Sequence, residues 1–173
     1  ATTSAYVTSV AMTPSGGVIA RADVSGTVDF GAGPVSFPQQ GSLVISLGAD
    51  LAYEAHRFLP APGLRKLAVH SQGHVLLAGQ FAGGPYDLGV ATFSTPGDAD
   101  ALLVRLEPDL TVGAAWTFVG EGAQAFDAIA VDAQDRIVLT GSTQAPVDFG
   151  GGPVPPGGFV HRLLADGEHE SSA

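Results

Sequence analysis

The same short pattern occurs three times along this chain of 173 residues, and that repetition constrains the fold more than any other feature. Met12-Thr13-Pro14-Ser15-Gly16-Gly17-Val18-Ile19-Ala20 aligns with Val69-His70-Ser71-Gln72-Gly73-His74-Val75-Leu76-Leu77. Both align with Val131-Asp132-Ala133-Gln134-Asp135-Arg136-Ile137-Val138-Leu139. Each is followed by an Asp motif, Val28-Asp29-Phe30-Gly31, then Tyr86-Asp87-Leu88-Gly89, then Val147-Asp148-Phe149-Gly150. Next come apolar runs ending at Leu47, Leu106 and Leu163. Three landmarks in constant order, about sixty residues apart, define three units, at 1–62, 63–123 and 124–166, with a polar tail at 167–173. Stacked repeats are held by contacts between units, because one unit cannot bury both of its faces alone.

Within a unit the pattern predicts strands. The first (Tyr6 to Met12, Lys66 to Val69, Phe126 to Val131) turns through Gly, Pro, Asp and Gln into a second (Val18 to Ala22, Val75 to Gly79, Ile137 to Gly141), as in a hairpin. A Gly/Pro-rich excursion carries the Asp motif. The third strand follows at Leu43 to Leu47, Ala101 to Leu106 and Phe159 to Leu163, and a fourth at Tyr53 to Phe58 and Val112 to Phe118. The third unit shows no counterpart, so its fourth strand is expected to be missing and the tail to be mobile. The expected fold class is all-β, a β-propeller-like array of three four-stranded antiparallel blades with the last blade incomplete, forming a single repeat domain over 1–173.

Composition agrees with that class. Apolar residues make up 45% of the chain and charged ones 14%, against 24 Gly and 12 Pro, which suits short strands and many turns rather than disorder or long helices. A net charge of −10 with seven scattered cations argues against nucleic acid and against anionic membrane surfaces. No apolar run approaches a membrane-spanning length, so the chain is expected to be soluble with no membrane insertion. The absence of cysteine removes disulfides, thiolate metal sites and cysteine nucleophiles. The start at Ala1 is read as a processed protein or a piece of a longer one.

Ile129 through Arg136, then Ile137-Val138-Leu139-Thr140-Gly141-Ser142, then Val147-Asp148-Phe149-Gly150-Gly151-Gly152-Pro153 resemble the bacterial seven-bladed β-propeller repeat family known as SBBP. The family's Gly-x-x-Asp before the third strand is matched by Gly97-Asp98-Ala99-Asp100 but not by Gln39-Gln40-Gly41-Ser42 or Pro156-Gly157-Gly158-Phe159. Its Trp followed by Phe-Gly-Gly is approximated by Trp116-Thr117-Phe118-Val119-Gly120 and degraded at Arg57-Phe58-Leu59. The resemblance implies a propeller fold and an extracellular or cell-envelope location, and brings no catalytic residues.

Motifs that suggest chemistry read more simply as structure. Asp29-Phe30-Gly31 and Asp148-Phe149-Gly150 spell a kinase metal-binding tripeptide, but they recur once per unit without the rest of that machinery, as anchored turns do. Gly31-Ala32-Gly33-Pro34 and Gly150-Gly151-Gly152-Pro153 lack the Lys and helix of a phosphate loop. His70 and His74 are placed as surface turn residues, with no third ligand near in sequence. Asp98, Asp100, Asp132 and Asp135 lack calcium-loop spacing and are expected to cap turns. Glu168-His169-Glu170 sits in the tail. Trp116, Phe118, Phe58 and Phe126 are expected to pack between sheets rather than form a sugar-stacking platform. No catalytic, cofactor or metal residue is assigned, and no nucleophile elbow is present.

The function expected from these readings is non-catalytic: a repeat module of a secreted or cell-surface bacterial protein, acting as scaffold or binding platform. Its partners would be further blades of the same polypeptide or other copies of the chain, with a protein or carbohydrate ligand unspecified. One alternative is a self-assembling structural subunit. Another is a propeller enzyme with a central-channel site, for which His70 and Asp132 are the candidates.

Overall fold

The computed structural model describes residues 4–173, apart from the side chains at 96 and 97. Residues 1–3 of the expected first unit and Gly97 of the Gly-x-x-Asp motif therefore lie outside the description. The described chain is built from strands, with no helix among the described residues. The first sheet contains β1 (Ser4–Met12), β2 (Val18–Asp29), β3 (Pro34–Leu47) and β4 (Tyr53–Leu59) in that order, all antiparallel. The second repeats the order with β5 (Leu64–Val69), β6 (Val75–Asp87), β7 (Thr92–Leu106) and β8 (Val112–Phe118). The third begins with β9 (Gln124–Val131) and β10 (Ile137–Thr143), followed by a two-stranded ribbon of β11 (Val147–Asp148) and β12 (Pro153–Val154). It resumes at β13 (Gly157–Leu163) and closes with β14 (His169–Ser172).

Two expectations are corrected. The third unit is not short of a strand, and its tail is not a loose end. β14 pairs with β13 in the register His161 to Ser172 and Arg162 to Ser171, and the Ala173 and Val160 backbones exchange hydrogen bonds at 2.7 and 2.9 Å. The segment lacks an apolar pattern because its pairing is held by side-chain charge: Glu170 meets both Arg162 and Arg136. The Gly/Pro-rich excursions of the first two units are likewise not loops. They continue the ladders, with Thr27 opposite Ser36 and Asp29 opposite Pro34 in the first, and Tyr86 opposite Phe93 in the second. Only in the third unit does the excursion detach as the β11–β12 ribbon.

The core lies between sheets. Ile19, Val44 and Leu59 of the first sheet, with Ala61 in the connection that follows it, meet Leu77, Phe81, Leu102 and Val104 of the second. Leu76, Ala78 and Leu103, on the opposite face of the second sheet, meet Ile137, Leu139, Phe159 and Leu163 of the third. The middle sheet is covered on both sides, so its strand centres are apolar without alternation: Val75 to Gly79 and Ala101 to Val104 are all buried. β13 alternates instead, burying Phe159, His161 and Leu163 while Val160 faces out. The strands β1, β5 and β9 run beside one another, β5 touching both of its neighbours. A smaller cluster of Ala20, Val24, Phe37, Leu43 and Ile45 caps the far face of the first sheet, with Phe30 and Phe58 folded over it.

Candidate functional site

The turns that begin each unit share one geometry. The amides of Thr13, His70 and Asp132 donate to the carbonyls of Gly17, His74 and Arg136, and those of Gly16, Gly73 and Asp135 donate back to Thr13, His70 and Asp132. The fourth position is left-handed in all three, with φ of 86°, 87° and 59°. Glycine adopts that conformation without strain, whereas an Asp does so at a cost. Asp135 offsets the cost by accepting from the Ser71 amide at 2.8 Å and from the Ser71 hydroxyl, tying the turn of the third sheet to that of the second. These bonds hold the Asp135 carboxyl below its ordinary pKa. The corresponding pair between the first two sheets is Gly73 and Pro14, which offer neither a carboxylate nor an amide. A groove of about 500 Å³ opens there, lined by Thr13, Ser15, Ser46, Glu54 and Gln72.

His70 and His74 are not both surface residues. His70 is buried, its pKa lowered by that burial against the opposing pull of Asp135, and its ring meets His74 edge-on with centroids 6.0 Å apart. His74 Nε2 lies 3.1 Å from Glu107 Oε2, a partner supplied by the neighbouring strand end that sequence spacing could not reveal. Asp132 turns its carboxylate onto its own loop. Its Oδ1 accepts from the Gln134 and Arg136 amides, and its Oδ2 from Arg136 Nε at 2.7 Å. Asp132 is therefore engaged locally, and His70 is packed away from solvent, so neither presents a free group to a channel. The side chains beside the cleft between the first strands are instead Thr8, Ser9, Arg65, Lys66 and Asp127.

The Asp motifs form anchored turns. Asp29 Oδ1 accepts from the Gly31 and Gly33 amides, Asp148 Oδ1 from Gly150 and Gly152, and Asp87 Oδ1 from Gly89. The residue between Asp and Gly points inward: Leu88 and Phe149 are buried between sheets, and Phe30 packs on the first sheet's outer cluster. Phe118 and Phe126 lie 5.5 Å apart within the second junction, Trp116 packs beside them, and Phe58 stacks near Phe37. Asp98 is exposed, its carbonyl accepting from Thr95 Oγ1. Asp100 is buried in β7, where its Oδ1 accepts from the Gly120 amide at 3.3 Å. No group of three or more His, Cys, Asp or Glu able to hold a metal ion occurs among the described residues.

Two side-chain clusters were not legible in the sequence. Arg21 is buried, donating to Asp23 Oδ1 and Ser42 Oγ at 2.7 Å each and to Thr8 Oγ1 at 3.0 Å. His169, expected in a mobile tail, stacks on His161 at 5.4 Å; both rings contact the Ser172 hydroxyl at 3.0 Å. Burial first, and His169 second, push the His161 pKa down to about 4. The signal for β14 lay in Asp50, Asp109 and Asp166, each three residues past the strand-ending leucine. Each Asp Oδ1 accepts the amide two residues on, in the same turn.

The end faces of the array carry the clearest functional information. Aligned on Leu47, Leu106 and Leu163, Val44 and Leu103 are fully buried, whereas Val160 is 49% exposed. Aligned on the first strands, Leu67 is 8% exposed and Val10 64%. In the turn before the fourth strand, Leu110 is 3% exposed and Leu51 64%, although both hold a left-handed backbone with φ of 65° and 64°. Wherever a neighbouring sheet exists these positions are covered; at the two ends the same apolar positions face water. Met12 and Val7 add to the open face of the first sheet.

No family model matches the chain, and no curated protein matches it.

Proposed function

We propose that the chain is a propeller-type repeat module similar to the SBBP family, its three sheets acting as consecutive blades, and that it serves as a non-catalytic scaffold or binding platform in a secreted or cell-surface bacterial protein. The observation that carries this reading is the matched exposure of Val10 against Leu67, Leu51 against Leu110 and Val160 against Leu103. The end sheets leave Val10, Met12 and Leu51 on one side and Val160 on the other open to water, and repeat units take like units as neighbours. The adjacency of β1, β5 and β9, with the fourth strands at the far edge of each sheet, is the order that blades around a common axis require. Partner contacts on the rim are assigned to the turns, where a rigid frame holds variable side chains. The groove between Pro14 and Gly73 lies among these turns.

An experimental structure tests the architecture. Successive sheets rotated about one axis beside β1, β5 and β9 are expected; sheets stacked in line without an axis would overturn it. Protease treatment of intact producing cells tests the location, with digestion of this segment expected and full protection counting against a surface module.

A further inference from the structure

We propose that a hard cation of the Ca²⁺ class binds at the junction of the second and third sheets, held by Asp100 Oδ2 and Gln124 Oε1 beside Gly120. Asp100 in β7 is 1% exposed, and Gln124 at the start of β9 is fully buried. The Gly120 amide donates to Asp100 Oδ1 at 3.3 Å, and a Cβ built on Gly120 would stand 3.2 Å from Gln124 Nε2 and 3.6 Å from the Pro146 carbonyl oxygen. The carboxylate and the carboxamide therefore flank one glycine. Asp100 Oδ2 and Gln124 Oε1 are both buried, and neither has a hydrogen-bond partner among the described residues. No Lys, Arg or His forms an ion pair with Asp100 among those residues either.

The orientation of the carboxamide is fixed by its own bonds. Gln124 Nε2 donates to the Glu121 and Gly122 carbonyls at 2.8 Å each, so turning the group over would set its oxygen against both. A buried carboxylate with no counter-charge is costly to the fold. A single water would donate to both oxygens and leave that charge standing, whereas a cation satisfies the oxygens and neutralises the charge. The fold itself does not require this polar pair. Counted back from Leu47, Leu106 and Leu163, the place of Asp100 is taken by Gly41 in the first unit and Gly157 in the third. Counted back from the partners of Gly79 and Gly141, the place of Gln124 is taken by Pro62 in the second. A carboxylate, a carboxamide and the Pro146 carbonyl make an all-oxygen set, which selects a hard cation over Zn²⁺ or Cu²⁺. Ca²⁺ accepts such an irregular set, where Mg²⁺ demands a near-ideal octahedron. The two side chains come from different units, so no calcium-loop spacing marks them in the sequence.

Thermal melts of the chelator-treated chain, titrated with CaCl₂, MgCl₂ or NaCl at constant ionic strength, test this. With a single carboxylate the site belongs to the weak range, a Kd of about 10⁻⁴–10⁻³ M. Ca²⁺ at about 10 mM should then raise Tm by about 3–10 °C. Asp98→Asn removes an exposed carboxylate from the same strand and should keep that rise, which controls for diffuse binding to an acidic surface. Asp100→Asn should abolish the rise and, in chelator, melt above the parent, because a neutral group of the same shape replaces the uncompensated charge. A parent Tm unmoved by Ca²⁺ would overturn the inference in favour of a buried water, as would an equal rise in Asp100→Asn. A rise with Na⁺ as large as that with Ca²⁺ would overturn the assignment to a divalent ion.

Discussion

Leu51 and Leu110 stand at the same place in the same turn, and replacing each by glycine separates backbone strain from burial. Both have a left-handed backbone, at φ of 64° and 65°, and both donate their amide to the carbonyl three residues back, at 2.9 and 2.8 Å. A residue with a Cβ is disfavoured in that conformation by about 1–2 kcal/mol. Glycine removes that cost and returns about 0.5–1 kcal/mol through its larger unfolded-state entropy. These local effects are equal at the two sites. What differs is that Leu110 lies in the core between the first two sheets while Leu51 faces water. Truncating a buried leucine costs about 2–5 kcal/mol. Leu110→Gly should therefore be less stable than Leu51→Gly by about 2–4 kcal/mol, or about 4–16 °C in Tm for a chain of this length. The pair is measured by urea and thermal melts. Equal stability of the two variants would refute the assignment of the core to the space between sheets.

Acid should weaken the third sheet through His161. Its pKa is about 4 in the fold against an ordinary 6.5, so the unfolded chain takes up its proton first. The associated stability is complete above pH 6.5 and declines as pH falls towards 4, by no more than about 3.5 kcal/mol at about 1.4 kcal/mol per pH unit. Urea midpoints between pH 7 and 4.5 should fall less steeply in His161→Phe; parallel slopes would count against the burial argument. Gly141→Ala should cost more than about 2 kcal/mol, because its Cβ would stand 2.0 Å from the Ala125 carbonyl oxygen. A Tm within a degree of the parent would show that the bulge between β9 and β10 yields freely. Asp135→Ala keeps the left-handed strain and loses both bonds to Ser71, at a cost of about 1–3 kcal/mol. Asp135→Gly should recover about 1 kcal/mol of it, and an Asp135→Ala thermal melt that matches the parent would refute the inter-sheet tie.

The all-β class and most strand positions were determined by sequence alone, because they depend on local patterns. Apolar runs flanked by Gly, Pro and Asp turns dictate hairpins wherever they occur, and Val112–Phe118 was legible to the residue. β14 was missed because Glu168-His169-Glu170 has no apolar alternation. Glu170 is held by Arg162 and Arg136, which lie 8 and 34 residues away in the chain, and no local signal encodes such a meeting. The long β2–β3 and β6–β7 ladders were hidden for a related reason: their Gly/Pro content reads as loop until a partner strand is in register. Burial of His70, the Asp135–Ser71 tie and the contrast between Leu110 and Leu51 were decided only by tertiary structure. Side chains in equivalent turns differ only in what stands opposite them, and that is set by the packing of one sheet against the next.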